Sequence, residues 1–234
     1  MNALELNGVE TRIGRYNVLH EVSFTVPEGG VFVLLGRNGA GKTTTLRTIM
    51  GLWTPHAGSV RFRDTEIGGL HASVIARKGV AFVPEDMGIF RALTVAENMT
   101  LATARGQFDG ARLDWIFDLF PALKTFWNTA AGGLSGGQKQ MLAVARAIIE
   151  PRALILIDEP TKGLAPAIVD AMAAAFQEIA RDTTILLVEQ NFEFARALGR
   201  DMAVIEDGRI VHTGSIEAFA EDTELQTRLL SLSV

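Results

Sequence analysis

Residues 31–52 read "VFVLLGRNGAGKTTTLRTIMGL", and the change of texture inside that stretch decides the fold. Val31 to Leu35 are five apolar residues in a row, the length and make-up of a short strand buried on both faces. A glycine-rich loop follows, and from Lys42 the pattern turns helical. The loop residues Gly36, Arg37, Asn38, Gly39, Ala40, Gly41, Lys42, Thr43 and Thr44 match G-x-x-x-x-G-K-[ST]. Glycines let such a backbone curl until successive N–H groups point at phosphate oxygens, and the helix start behind them adds its positive end. Lys42 supplies a point charge for the β- and γ-phosphates, and the Thr43 hydroxyl suits Mg²⁺. A glycine-rich turn without a ligand leaves the lysine unexplained.

The same grammar recurs further along. "GVAFVPE" (79–85), "ALILIDEP" (153–160), "TTILLVEQ" (183–190) and "DMAVIEDG" (201–208) are apolar runs of strand length, most of them followed by a helix-like stretch. That alternation predicts a parallel sheet with crossover helices. Before Val31 the texture differs: "ALELNGV" and "HEVSFTV" alternate and end at "PEGG", which predicts short antiparallel strands. Between Glu85 and Glu150 strands give way to helical patterns, so an inserted helical region of about 86–150 is expected in one α/β domain. Gly208 reads as the turn of a late hairpin.

Two further stretches carry chemistry. "LILIDEP" brings Asp158 and Glu159 to the carboxyl end of a strand, the edge where open α/β sheets bind ligands. Asp158 there suits Mg²⁺ held through water, and Glu159 suits the base that orients and deprotonates an attacking water. "LSGGQ" (134–138) precedes an apolar helix. Ser135 as a plain N-cap is worth about 1 kcal/mol, which explains the serine but leaves Gly136, Gly137 and Gln138 over. A second anion-binding helix start fits better in a head-to-tail dimer, closing over the nucleotide of the opposite subunit.

Composition bounds the alternatives. With 234 residues, 48% hydrophobic and 21% charged, the chain has the make-up of an ordinary folded domain. A net charge of −5 without a long Lys/Arg run makes nucleic acid an unexpected partner. Having no cysteine, the chain has no disulfide or thiolate metal site. Its longest apolar runs are too short to span a bilayer, and no secretory leader is expected at the N-terminus. His20, His56, His71 and His212 are dispersed without metal-ligand spacing and are read as surface or core residues.

With these residues in hand, the chain resembles the nucleotide-binding subunit of ATP-binding cassette (ABC) transporters along essentially its whole length. "GRNGAGKTT", "LSGGQ" and "LILIDEP", in that order, carry the likeness. "VPE" (83–85), "GLAP" (163–166), "LLVEQN" (186–191) and "DLFPALK" (118–124) narrow it to one of the two ATPase subunits of branched-chain amino acid importers. The resemblance implies an α/β P-loop NTPase (RecA-like) core, an antiparallel N-terminal β region and an inserted helical subdomain that receives a membrane permease. It also implies ATP and Mg²⁺ as ligands, a second cassette subunit as partner on ATP binding, and a cytoplasmic position against the inner membrane face. Urea or amide importers, or a soluble cassette ATPase outside transport, are the alternative readings. Many cassettes carry Gln where Glu85 stands, Asp where Ala165 stands and His where Gln190 stands. Glu85 would then lie near the metal and nucleotide, and Gln190 near the γ-phosphate. Alignment with the family puts Ile13 where an aromatic stacks on adenine, with Tyr16 three residues later, so either residue is a candidate. Phe126 and Trp127 stand where charged residues are common, and packing within the helical subdomain is the expected role.

Overall fold

The computed structural model describes residues 1–230. The chain opens on two twelve-residue strands, β1 (Asn2–Ile13) and β2 (Tyr16–Pro27), paired antiparallel up to Ile13 opposite Tyr16. Their alternation is the cause: Leu4, Leu6, Phe24 and Val26 are buried while the residues between face outward. β3 (Val31–Leu35) is buried at every position, leads into the phosphate loop and is followed by α1 (Lys42–Ile49). β4 (Pro55–Phe62) and β5 (Thr65–Glu66) then return to β1, giving a four-stranded antiparallel sheet of order β2-β1-β4-β5. β4 goes beyond the sequence expectation, which placed antiparallel strands only in the first thirty residues and in the late hairpin at Gly208. Its residues hide the pattern: in "PHAGSVRF" only Val60 and Phe62 are buried, and the pairing with β1 shifts register between Asn7 and Glu10.

α2 (Ala72–Arg77) is capped by the His71 ring, which accepts from the Ser73 N–H, and β6 (Val80–Val83) follows. The next strand comes only at β7 (Leu154–Asp158). Between them lie α3 (Val95–Leu101), α4 (Gly110–Leu119), α5 (Pro121–Thr125) and α6 (Gly136–Ile148). Trp127 meets Phe108 and Phe117 edge-on with ring centres 5.7 and 5.2 Å away, and Phe126 packs against the same core, so this pair is half-buried inside the helical region. α7 (Pro166–Ile179), β8 (Thr184–Glu189), α8 (Phe192–Leu198), β9 (Asp201–Glu206), β10 (Arg209–Ser215), α9 (Ile216–Glu221) and α10 (Thr223–Leu230) complete the described chain.

The second sheet has six strands in the order β10-β9-β3-β8-β7-β6, all parallel except edge strand β10. β9 turns into β10 through Asp207 and Gly208, both with positive φ (44° and 72°), which matches the twist of a tight hairpin. The parallel strands read as unbroken apolar runs because the sheet separates two cores. Val31, Val33 and Leu35 of β3, with Ile155 and Ile157 of β7, face the helices, whereas Phe32, Leu34, Leu154 and Leu156 face the antiparallel sheet and α1. Pairing of Leu35 with Glu189 and of Asp158 with Val188 lines up the carboxyl ends of β3, β8 and β7. The phosphate loop thereby emerges beside the acidic end of β7.

Candidate nucleotide site

The phosphate loop is shaped by its backbone. Gly41 is the N-cap of α1 with φ at 110°, a conformation strained for any residue with a β-carbon, and no side chain caps the helix there. The first N–H groups of α1 are therefore left for a ligand. Ala40 is buried, and its carbonyl accepts from the Gly208 N–H at 2.8 Å, so the β9–β10 turn braces the loop from behind. Asn38, Gly39, Gly41, Lys42, Thr43 and Thr44 line a pocket of about 280 Å³, together with Val18, Glu85, Glu159 and Lys162. Gly36 and Arg37 border a separate cavity of about 370 Å³ with exposed Gln190 and with α10.

Lys42 is only 4% exposed, which a lysine tolerates when its charge is compensated. Its Nζ donates to the carbonyls of Gly36 (2.8 Å) and Arg37 (3.1 Å) and pairs with Glu159 Oε1 at 3.0 Å. Lys162, three residues beyond Glu159, bridges the other carboxylates, 2.6 Å from Glu85 and 3.6 Å from Glu159. Sequence reading passed over Lys162; a cation three residues after Glu159 was its only signal. Glu159 has φ at 44°, a left-handed conformation rare outside glycine that costs on the order of 1–2 kcal/mol. Its N–H donates to the Val188 carbonyl at 2.9 Å, so β8 helps to hold it there.

Asp158 is 1% exposed, and neither carboxylate oxygen has a hydrogen-bond partner. Burial above all lifts its pKa from 3.8 to about 6. The Thr43 hydroxyl, close but outside hydrogen-bonding geometry, and Lys42 oppose the rise, whereas Glu159 and Glu85 add to it. Two orphaned, buried acceptor atoms beside a threonine hydroxyl fit a hard divalent cation that keeps most of its water and takes one carboxylate from the protein. Among the described residues no cluster of three or more His, Cys, Asp or Glu stands ready as a metal cage, and Mg²⁺ does not require one.

The strain of Asp158 has a measurable consequence. Its folded pKa lies above the unfolded value, so keeping it ionised opposes folding in full above about pH 6, and this penalty disappears as pH falls toward 4. Asp158→Asn is therefore expected to stabilise the nucleotide-free protein at pH 7.5 by on the order of 2 kcal/mol, or about 2–4 °C in melting temperature per kcal/mol. Melting curves at pH 7.5 and pH 5 check it: the gain must shrink at the lower pH, and a variant less stable than wild type at pH 7.5 would refute the account.

"LSGGQ" lies outside this pocket and proves more self-sufficient than its sequence suggests. Ser135 caps α6 and Gln138 reciprocates: the Gln138 N–H donates to Ser135 Oγ at 3.3 Å, and the Ser135 N–H to Gln138 Oε1 at 2.9 Å. Gly137 is buried where a β-carbon would come within 2.8 Å of Ile168 in α7. The expectation that simple capping explains only the serine is thus corrected, because the glutamine and one glycine also have roles inside the chain. Of the two glycines, Gly136 is exposed with open space above it. The histidines are placed elsewhere, His56 against Glu10 at 3.0 Å and His212 tilted on Phe219.

A family model described as ABC transporter matches residues 19–162. The high-affinity branched-chain amino acid transport ATP-binding protein BraG of Pseudomonas aeruginosa is 40% identical over 212 residues, covering 89% of this chain and 91% of that protein. The "Probable branched-chain amino acid transport ATP-binding protein LivF" of Archaeoglobus fulgidus is 32% identical over 214 residues, with 90% and 91% covered. In fold, an ATP-binding cassette of an ABC transporter in its ADP conformation aligns over the whole of both chains with a TM-score of 0.83 at 22% identity. A phosphate loop facing an acidic strand end, on a fold shared with such cassettes and within the span of the family match, leads to one conclusion: the chain belongs to the ABC transporter family and is an ATPase.

Proposed function

We propose that this chain is the ATP-hydrolysing subunit of a membrane importer for branched-chain or related amino acids. The observation that carries the reading is the Lys42–Glu159 pair at 3.0 Å, inside a chain 40% identical to a branched-chain amino acid transport ATP-binding protein across most of its length. The cation meant for phosphate here pairs with the carboxylate meant for water. An incoming γ-phosphate competes for Lys42, and as the lysine turns to phosphate it frees Glu159 to accept a proton from water. Binding would arm the base. Thr43 and Asp158, with Glu85 behind Lys162, are the residues that would hold Mg²⁺, which neutralises phosphate charge when bound. Exposed Gly136 and the Ser135 hydroxyl support closure of this helix start over the nucleotide of a second cassette.

The pairing of Ile13 with Tyr16 bears on adenine. Directly opposed residues of an antiparallel pair share a face, and Val18, two residues beyond Tyr16, lines the phosphate pocket. The two candidates are therefore cross-strand neighbours rather than exclusive choices, and Tyr16, 77% exposed, has a free ring. Tyr16→Ala is expected to weaken ATP binding about fivefold, on the order of 1 kcal/mol, with recovery in Tyr16→Phe. Fluorescence titration decides: no change in Tyr16→Ala beside a large loss in Ile13→Ala leaves the base to the aliphatic residue alone.

A groove of about 390 Å³ between β6 and α6, lined in part by Ala76, Phe82, Met87, Arg146 and half-exposed Leu52, supports docking of a permease loop. Among the described residues no helix is long and apolar enough to cross a membrane, so a cytoplasmic subunit held against the inner face by the permease accords with the reading. Gln190, an uncharged amide where a histidine is common, favours a partner cassette that brings the histidine. Co-expression with two permeases and a second cassette, purification of the complex and leucine uptake into vesicles tests the proposal. ATP-driven uptake supports it; uptake of urea or amides alone, or no association with any permease, overturns it.

A further inference from the structure

One buried carboxylate outside the phosphate pocket joins the two loops that flank it. Glu189 closes β8 at 2% exposure, and four donors converge on its two oxygens. Oε1 accepts from the Thr161 N–H (3.3 Å) and hydroxyl (2.8 Å); Oε2 accepts from the N–H groups of Gln190 (3.1 Å) and Asn191 (3.2 Å). Burial raises its pKa, and the bonds from Thr161, Asn191 and Gln190 work against the rise. An apolar residue here would leave three backbone N–H groups and the Thr161 hydroxyl without this acceptor, so the carboxylate ties loops together rather than only filling space.

That role is visible in what lies between its partners. Glu159 sits in its left-handed conformation with its own N–H tied to Val188, and Thr161, two residues on, is tied to Glu189. The residues after β7 are thus pinned to the end of β8 on both sides of Glu159. The same carboxylate sets the first turn of backbone after β8, where Gln190 begins. We infer that Glu189 is a positioning residue for ATP hydrolysis, clamping the Glu159–Thr161 loop to the Gln190–Asn191 loop so that Glu159 and Gln190 keep one fixed geometry. The inference rests on the reading of Glu159 as the base.

Glu189→Gln matches the volume but has a single acceptor oxygen, and its amide N–H groups face other donors. Thr161→Val keeps the shape and removes only the hydroxyl. With wild type and Glu159→Gln measured alongside, both variants should bind one nucleotide per chain with KM for ATP within about threefold, while kcat falls about 10- to 100-fold. The binding count excludes partial unfolding as the cause of a low kcat. Thr161→Ser should regain most of what Thr161→Val loses, and in the Glu159→Gln background Glu189→Gln should add no further loss. Turnover within twofold of wild type in both single variants at full nucleotide occupancy overturns the clamp, and so does a fully additive loss in the double variant. If Glu189→Gln does not fold, the Thr161 pair decides alone. Full turnover in Glu159→Gln would instead place the failure in the assignment of Glu159.

Discussion

Glu159→Gln is expected to bind ATP as wild type does and to lose about 10²- to 10⁴-fold in turnover, the range that a general base contributes. The amide fills the same space beside Lys42, so the site keeps its shape. What disappears is the proton acceptor. Losing the carboxylate also removes its ion pair with Lys42, 3.0 Å long. ATP affinity should therefore hold or rise, because phosphate no longer competes with a fixed anion for the lysine. The two effects separate in one set of measurements: nucleotide affinity by fluorescence titration, and phosphate release at saturating ATP. Turnover near the wild-type rate would remove Glu159 from the chemistry. Weakened binding would mean that the pair with Lys42 organises the loop rather than blocking it.

Ser135→Arg is expected to leave ATP binding to the single chain intact and to abolish cooperative hydrolysis. Its side chain would project from an exposed helix start, beside Gly136, into the space that a second subunit needs. The substitution also removes an N-cap worth about 1 kcal/mol, so Ser135→Ala, which loses the cap without adding bulk or charge, is the matched control. Mixing gives the decisive reading. A Ser135→Arg chain offers a sound phosphate loop, and a Lys42→Ala chain offers a sound helix start. In a head-to-tail pair these complement each other, giving up to about a quarter of the wild-type rate where each chain alone is inactive. No recovery on mixing, together with a single-chain mass for Glu159→Gln in ATP by sedimentation, would refute the shared site.

These expectations differ in how far they could be read from residues in order. The alternation of β1 and β2, the apolar runs of β3, β7, β8 and β9 and the capped helix after Leu134 are local patterns, set by side-chain period and by the chemistry of helix starts. They carry the fold class and point to a phosphate ligand. β4 escaped because Pro55 and Gly58 break the alternation, and its pairing with β1 is what makes it a strand. "LSGGQ" was over-read in part, since the mutual capping of Ser135 and Gln138 and the fit of Gly137 against Ile168 depend on atoms that neighbours in sequence do not reveal.

By itself, then, the sequence determined the alternation of strands and helices, the glycine loop with its lysine, and the placing of an acidic pair at a strand end. All three follow from interactions among residues a few positions apart. Only the tertiary structure decided that Lys42 grips Glu159, that Asp158 is left without a donor, and that Glu189 ties Thr161 to the loop after β8. The physical reason is the strand order β3-β8-β7: it sets side by side three strand ends that are far apart along the chain, and the burial created there gives each charge its partner or leaves it without one.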